Sequence, residues 1–217
     1  MRKTLTLLAV IALVLAIAVG VGQWLRGPGP GPGPGPGPGP QAQPEWCPAV
    51  EVISVPGTWE SAPDDDPINP AFNPNSLILK ASAPLQGRYS PEDVKVWTVP
   101  YTAQFRNINA QHEMTYDDSQ AEGRDRINAE LSFMHGECPE TKFIFMGFSQ
   151  GAVIAGDIVS DIGNGRGVVP ADSVLGAALL ADGRREPGKG MVPGVPMGGL
   201  GAEVVLAPVN LLVQPIV

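Results

Sequence analysis

Apolar and polar positions along this chain fall into blocks with different periods. Met1-Arg2-Lys3 leads into an apolar run from about Leu5 to Val21, and residues 27–40 are seven Gly-Pro repeats. From Glu45 onward, short apolar runs alternate with amphipathic stretches. Val50–Val55 (VEVISV) predicts a strand stopped by the Pro56-Gly57 turn, and Val94–Val99 (VKVWTV) a second one stopped by Pro100. Residues 75–86 predict a short helix limited by Pro84. Residues 119–135 predict the best-defined helix, because Ser119 and Glu122 have capping-box spacing and Ile127, Leu131 and Met134 share one face. Lys142–Gly147 (KFIFMG) predicts a third strand and residues 150–162 a further helix. Val174–Ala181 (VLGAALLA) predicts a fourth strand, its unbroken apolar run fitting burial on both faces. Such alternation predicts an α/β fold, a parallel sheet with helices on both faces.

The N-terminal blocks divide the chain. A basic start and an apolar run read as an export signal, and its about 17 residues sit at the lower edge for a spanning helix. Gly20-Val21-Gly22 is a poor cleavage site, which favours an uncleaved anchor over a cleaved signal for residues 1–26. Arg2 and Lys3 would then stay cytoplasmic, with the remainder outside and the N-terminal segment as its membrane partner. A period of two excludes collagen, so residues 27–44 read as a linker, spanning up to about 40 Å at the rise of Pro-rich chains. Residues 45–217 form the globular domain.

Composition adds two constraints. A net charge of -8 gives no footing for a phosphate backbone, so nucleic acid is excluded as a partner. Two cysteines, Cys47 and Cys138, in an exported chain favour a disulfide over two buried thiols. Closing a loop of that length is worth about 4 kcal/mol in the chain-entropy model. Neither cysteine has local spacing for a metal, and Asp64-Asp65-Asp66 lacks that of a calcium loop. No cofactor is implied, and oligomeric state is not legible.

The candidate chemistry lies between the third strand and the helix after it. Gly147-Phe148-Ser149-Gln150-Gly151 matches G-x-S-x-G, the tight turn that exposes a nucleophilic serine. An apolar strand before it and a helix after it supply the context this motif requires. The Gln150 N–H then forms half of an oxyanion hole. Thr58, in the loop leaving the first strand at the same edge, is the candidate second donor through its N–H and hydroxyl; as an isolated residue it also reads as an ordinary turn position.

Several longer stretches carry a resemblance: C-P-A-V at Cys47, V-P-G-T-W-E-S at Val55, V-P-Y-T-A-Q-F at Val99, G-F-S-Q-G-A-V-I-A-G-D at Gly147, S-D-I-G-N-G-R-G at Ser160 and A-D-G-R-R at Ala181. Together, about two thirds of the chain resembles the cutinase family of α/β-hydrolases and looks closest to mycobacterial cutinase-like envelope proteins. The resemblance implies a serine esterase on a five-stranded parallel sheet, acting on lipid esters with phospholipase or thioesterase activity. It implies Ser149 as nucleophile, Thr58 and Gln150 as the oxyanion hole, and a Cys47–Cys138 bridge.

One departure stands against that pattern. The family places its acid and histidine after the serine, and no histidine or cysteine follows Ser149. His135 closes the helix before the third strand, and six strand residues at about 3.3 Å each put it roughly 20 Å from the hydroxyl. His112 sits in a polar loop at the active edge and reads as solvated. Asp182 reads as a turn residue, and Asp157 and Asp161 as solvated helix positions. No triad acid or histidine is therefore assigned. Three accounts follow: an exported serine esterase, weak or inactive in this chain; a tethered lipid-binding module without a base; and a C-terminally truncated product. The expectation is an incomplete hydrolase domain, with the fourth strand left as an apolar edge.

Overall fold

A computed structural model describes residues 43–191 and 198–206. The N-terminal apolar run, the Gly-Pro repeats and residues 207–217 lie outside them. No helix among the described residues is long and apolar enough to cross a membrane.

The described chain builds four strands and four helices in alternation. These are β1 (Val50–Val55), α1 (Leu77–Arg88), β2 (Val94–Thr98), α2 (Tyr116–Glu137), β3 (Lys142–Phe148), α3 (Gln150–Gly163), β4 (Val174–Leu180) and the short α4 (Ala202–Leu206). All strand pairings are parallel, in the order β2-β1-β3-β4. Ile53 lies opposite Trp97 on one side and Phe145 on the other. Alternate strand residues point to opposite faces. Ile53, Val55, Trp97, Phe143 and Phe145 therefore meet Ile127, Leu131 and Met134 of α2 and Ile154 and Ile158 of α3 in the main core. Ser54 points the other way, its hydroxyl 2.9 Å from that of Ser82 on α1. Helices on both faces are thus a direct result of the period-two pattern.

Three local expectations are corrected. The best-defined helix starts at Tyr116, not Ser119: Thr115 is its cap and accepts from the Asp118 N–H at 3.1 Å. Ser119 lies inside the first turn, and Glu122 instead accepts from the Thr102 N–H at 2.9 Å. Helix α1 runs past Pro84 to Arg88. β4 is not buried on both faces. It lies at one edge of the described sheet, where an apolar edge was also expected, and its register with β3 steps at Phe143/Ile144, so Leu175 has no pairing partner and is 59% exposed. The resemblance implied five strands, and four are present among the described residues.

Cys47 and Cys138 are disulfide-bonded, with Cα atoms 5.5 Å apart. The bridge ties the segment entering β1 to the end of α2, at the sheet end opposite the candidate site.

Glu51, the second residue of β1, is fully buried. Lys95 Nζ lies 2.7 Å from its Oε1, off the hydrogen-bonding direction, and 3.0 Å from Glu130 on α2. Burial drives the Glu51 carboxyl from 4.5 up to about 8, against the pull of Lys95. Burial also draws Lys95 down, but Glu51 and Glu130 together more than offset this and raise it. Because the folded pKa of Glu51 exceeds its unfolded value, folding binds a proton in the window between them. Its contribution to stability is complete below pH 4.5 and is lost as pH rises towards 8. The melting temperature should fall across that window, and Glu51→Gln should flatten the fall. Parallel pH profiles for the two proteins would remove Glu51 as its cause.

Candidate active site

The strand order makes the site. From β1 the chain steps outward to β2, whereas β3 lies on the other side of β1. The chain leaving β1 and the chain leaving β3 at their C-terminal ends thus run to helices on opposite faces, and this switch point is the usual ligand position in open parallel sheets. Thr58 follows β1 and Ser149 follows β3, so the topology brings both candidate residues to this switch point.

Ser149 has φ 53° and ψ -119°, a strained region for a residue with a side chain, costing about 1–3 kcal/mol. Its N–H donates to the Leu180 carbonyl of β4 at 2.9 Å, and its carbonyl accepts from the Ala152 N–H at 2.9 Å. The flanking glycines allow the tight turn. A Cβ on Gly147 would sit 2.5 Å from the Gly151 carbonyl oxygen, and one on Gly151 would sit 2.2 Å from that of Val55. The Ser149 hydroxyl has no hydrogen-bond partner among the described residues. Gln150 opens α3, and its N–H likewise remains free for a ligand among the described residues.

The loop carrying Thr58 is held from several sides. Trp59 adopts φ 63° and donates its N–H to the Ala103 carbonyl at 2.6 Å, Ala103 itself being at φ 49°. Its indole N–H reaches both carboxylate oxygens of Glu113 at 3.0 Å. Glu60 accepts from the Gly57 N–H at 3.1 Å, the Ser76 hydroxyl at 3.0 Å and the Leu77 N–H at 2.7 Å, joining this loop to the start of α1. Gly57 lies so close to Phe148 that an added Cβ would come within 2.7 Å of the ring. The β1 and β3 loops are therefore in direct contact. Thr58 makes no hydrogen bond of its own among the described residues, which leaves its N–H and hydroxyl available.

Sequence reasoning missed Glu60, Glu113 and Tyr101. Glu60 and Tyr101 lay inside stretches already noted, but nothing in a one-dimensional pattern indicates which backbone groups a carboxylate or phenol will reach.

The remaining candidates separate cleanly. His112 is exposed in the β2–α2 loop, and His135 sits in the last turn of α2, at the far end of the sheet. Asp182 accepts from the Arg184 N–H at 2.9 Å, in a turn, as expected. Asp157 and Asp161, expected to be solvated, are ion-paired. Asp157 lies 3.0 Å from Arg184, and Asp161 lies 2.6 Å from Arg124 and 2.8 Å from Arg166. Burial raises the Asp157 carboxyl, against the pull of Arg184 and Arg124. Asp65 and Asp66 accept from backbone N–H groups of residues 66–72 and shape that loop. Among the described residues, no group of three or more His, Cys, Asp or Glu side chains could hold a metal ion.

A parallel α/β sheet with a strained serine turn at its switch point defines an α/β-hydrolase-type scaffold. The chain belongs to the cutinase family, whose model, described as Cutinase, matches residues 76–198, more than half of the 217-residue chain. It is 67% identical over 175 residues to a protein from Corynebacterium glutamicum described as a carboxylesterase Culp6 homolog. That match covers 81% of this chain and 57% of the relative, so the chain spans little more than half of that protein's length. Among solved structures, the catalytic core domain of acetyl xylan esterase from Trichoderma reesei is similar at 19% identity and TM-score 0.47, covering 65% of this chain and 67% of that one. A cutinase-like protein from Cryptococcus sp. is similar at 19% identity and TM-score 0.43, covering 68% and 60% respectively.

Proposed function

We propose that this chain supplies the nucleophile and oxyanion hole of a serine carboxylic ester hydrolase acting on lipid esters. The observation that carries the reading is the strained Ser149 turn, with an unoccupied hydroxyl beside the free N–H of Gln150 and the Thr58 loop. Ser149 Oγ attacks the ester carbonyl and its proton leaves to a base. The carbonyl electron pair moves onto oxygen, where the Gln150 and Thr58 N–H groups and the Thr58 hydroxyl hold it. Collapse expels the alcohol and leaves an acyl-Ser149 ester, which water then cleaves. Membership in the cutinase family and the carboxylesterase name of the Corynebacterium glutamicum relative support ester hydrolysis. A lipid substrate is supported by the apolar rim of the same edge. Trp59 (53% exposed), Phe72, Phe105, Ile108 and Leu180 are all exposed, on loops that follow β1 and β2 and at the end of β4. Export, with the N-terminal segment as signal or anchor and the cell envelope as destination, is consistent with the disulfide.

A second reading rests on where the two histidines lie among the described residues: His112 is an exposed loop residue, and His135 sits in the last turn of α2 at the far end of the sheet. On that reading neither histidine serves Ser149 as a base, and the chain acts as a tethered lipid-binding module with residual turnover at most. In the protease template, loss of a triad member still leaves roughly 10³–10⁴-fold over water. One assay separates the readings: hydrolysis of p-nitrophenyl butyrate by the full chain beside its Ser149→Ala variant. We expect a slow rate that disappears in the variant. Equal rates in two folded proteins would reject the esterase reading and leave the binding module.

A further inference from the structure

The two halves of the proposed hole come from different loops, so something must fix the distance between them. A buried polar network lies at their junction. Tyr101, just beyond β2, is 0% exposed and Gln150 is 1% exposed. The single hydroxyl proton of Tyr101 goes to the Pro56 carbonyl at 2.6 Å, directly before the Gly57-Thr58 turn, and Gln150 Oε1 lies 3.3 Å from the same hydroxyl.

The orientation of the Gln150 amide follows from its neighbours. Its Nε2 faces the carbonyls of Gln104 at 3.3 Å and Tyr116 at 3.5 Å, where an amide oxygen would be repelled. Its Oε1 therefore faces Tyr101 and the Ser119 hydroxyl at 3.4 Å, and Ser119 in turn accepts from the Gln104 N–H at 3.1 Å. The backbone of Tyr101 is itself tied down, donating its N–H to Ser61 Oγ at 3.3 Å, while the Ser61 hydroxyl donates to the Val99 carbonyl at 2.9 Å. No side chain of this network has a spare donor to turn towards a substrate. Its effect on the site is exerted through the two loops it joins.

We propose that Tyr101 is a positioning residue for the oxyanion hole: its hydroxyl, bonded to the Pro56 carbonyl beside the buried Gln150 amide, sets the spacing of the Thr58 and Gln150 N–H donors. This inference rests on the assignment of Thr58 and Gln150 made above. Tyr101→Phe keeps the ring and its packing but removes the bond, leaving the Pro56 carbonyl without this donor.

The test uses the full, disulfide-bonded chain and two readouts. By NMR, the amides of Gly57, Trp59 and Glu60, each hydrogen-bonded in the β1 loop, should exchange about tenfold faster in Tyr101→Phe. They should keep the wild-type rate in Ile127→Val, a core variant chosen to lower the melting temperature without touching the loop. With p-nitrophenyl butyrate, kcat should fall about tenfold while KM stays within about twofold, because the oxyanion forms only in the transition state. Wild-type exchange at all three amides in Tyr101→Phe would overturn the proposal, as would faster exchange with an unchanged kcat. A wild-type chain with no Ser149-dependent hydrolysis would instead defeat the esterase reading, and the exchange rates alone would then decide whether Tyr101 holds the loop.

Discussion

Gly151→Ala is expected to destroy the folded state. A methyl group there would lie 2.2 Å from the Val55 carbonyl oxygen and 2.4 Å from that of Pro56. Both obstacles are backbone, and Val55 is paired in register with Gly147 in the centre of the sheet, so neither side of the clash moves cheaply. The start of α3 would have to withdraw from β1. That would pull Ser149 out of its turn and open the core, where Ile154 and Ile158 of the same helix pack. The cost should exceed about 4 kcal/mol, in the range reserved for gross core disruption. Gly163, the last residue of the same helix, is the matched control. Nothing lies within 4 Å of its added Cβ, so Gly163→Ala should stabilise by about 0.4–1 kcal/mol through the unfolded state. Circular dichroism and thermal melts of the two variants decide the matter. A folded Gly151→Ala protein with a near-native melt would show that α3 is not pressed against β1.

The second large effect is expected from the disulfide. Joining Cys47 to Cys138 closes a loop over a sequence separation of 91, enclosing β1, α1, β2 and α2. Half of the described sheet thus lies within one covalent loop, and opening it releases that part of the unfolded chain. The double variant Cys47→Ser/Cys138→Ser should lose about 4 kcal/mol by the chain-entropy relation. Guanidinium titration should show a lower midpoint together with a steeper slope, because the uncrosslinked unfolded chain exposes more surface. Both cysteines are buried against the core, so reductant should act slowly on the folded protein and quickly once denaturant opens it. An unchanged midpoint in the double variant would mean that the bridge adds nothing beyond the packing around it.

Legibility in the sequence followed the range of the interactions involved. The four strands were readable to within a residue because apolar runs ended by Pro-Gly, Pro or Gly report a local conformational limit. The serine turn was readable for a similar reason: Gly147 and Gly151 are there because no larger residue fits. The start of α2 was misplaced because two caps compete locally, Thr115 with Asp118 and Ser119 with Glu122. The contest is settled by distant groups, since Ser119 contacts Gln104 and Gln150 while Glu122 holds the Thr102 N–H. For β4 the unbroken apolar run pointed to burial on both faces, although an exposed apolar edge was also expected there, because such a run does not report what covers it.

By itself the sequence determined the α/β alternation, the serine at a tight strand-to-helix turn, and the two cysteines available for one bridge. These are features written within a few residues or in a simple count. Only the tertiary structure decided that β1 and β3 are neighbours, which sets the loop carrying Thr58 against the turn carrying Ser149. It likewise decided that Glu60, Glu113 and Tyr101 hydrogen-bond to the segment around Thr58, and that Glu51 is buried beside Lys95. Each of those depends on contacts between residues far apart in the chain, fixed by strand order and by how helices pack across the sheet. No local propensity encodes which carbonyl a buried hydroxyl will find, so the elbow was visible from the start and the network that holds it emerged only from the fold.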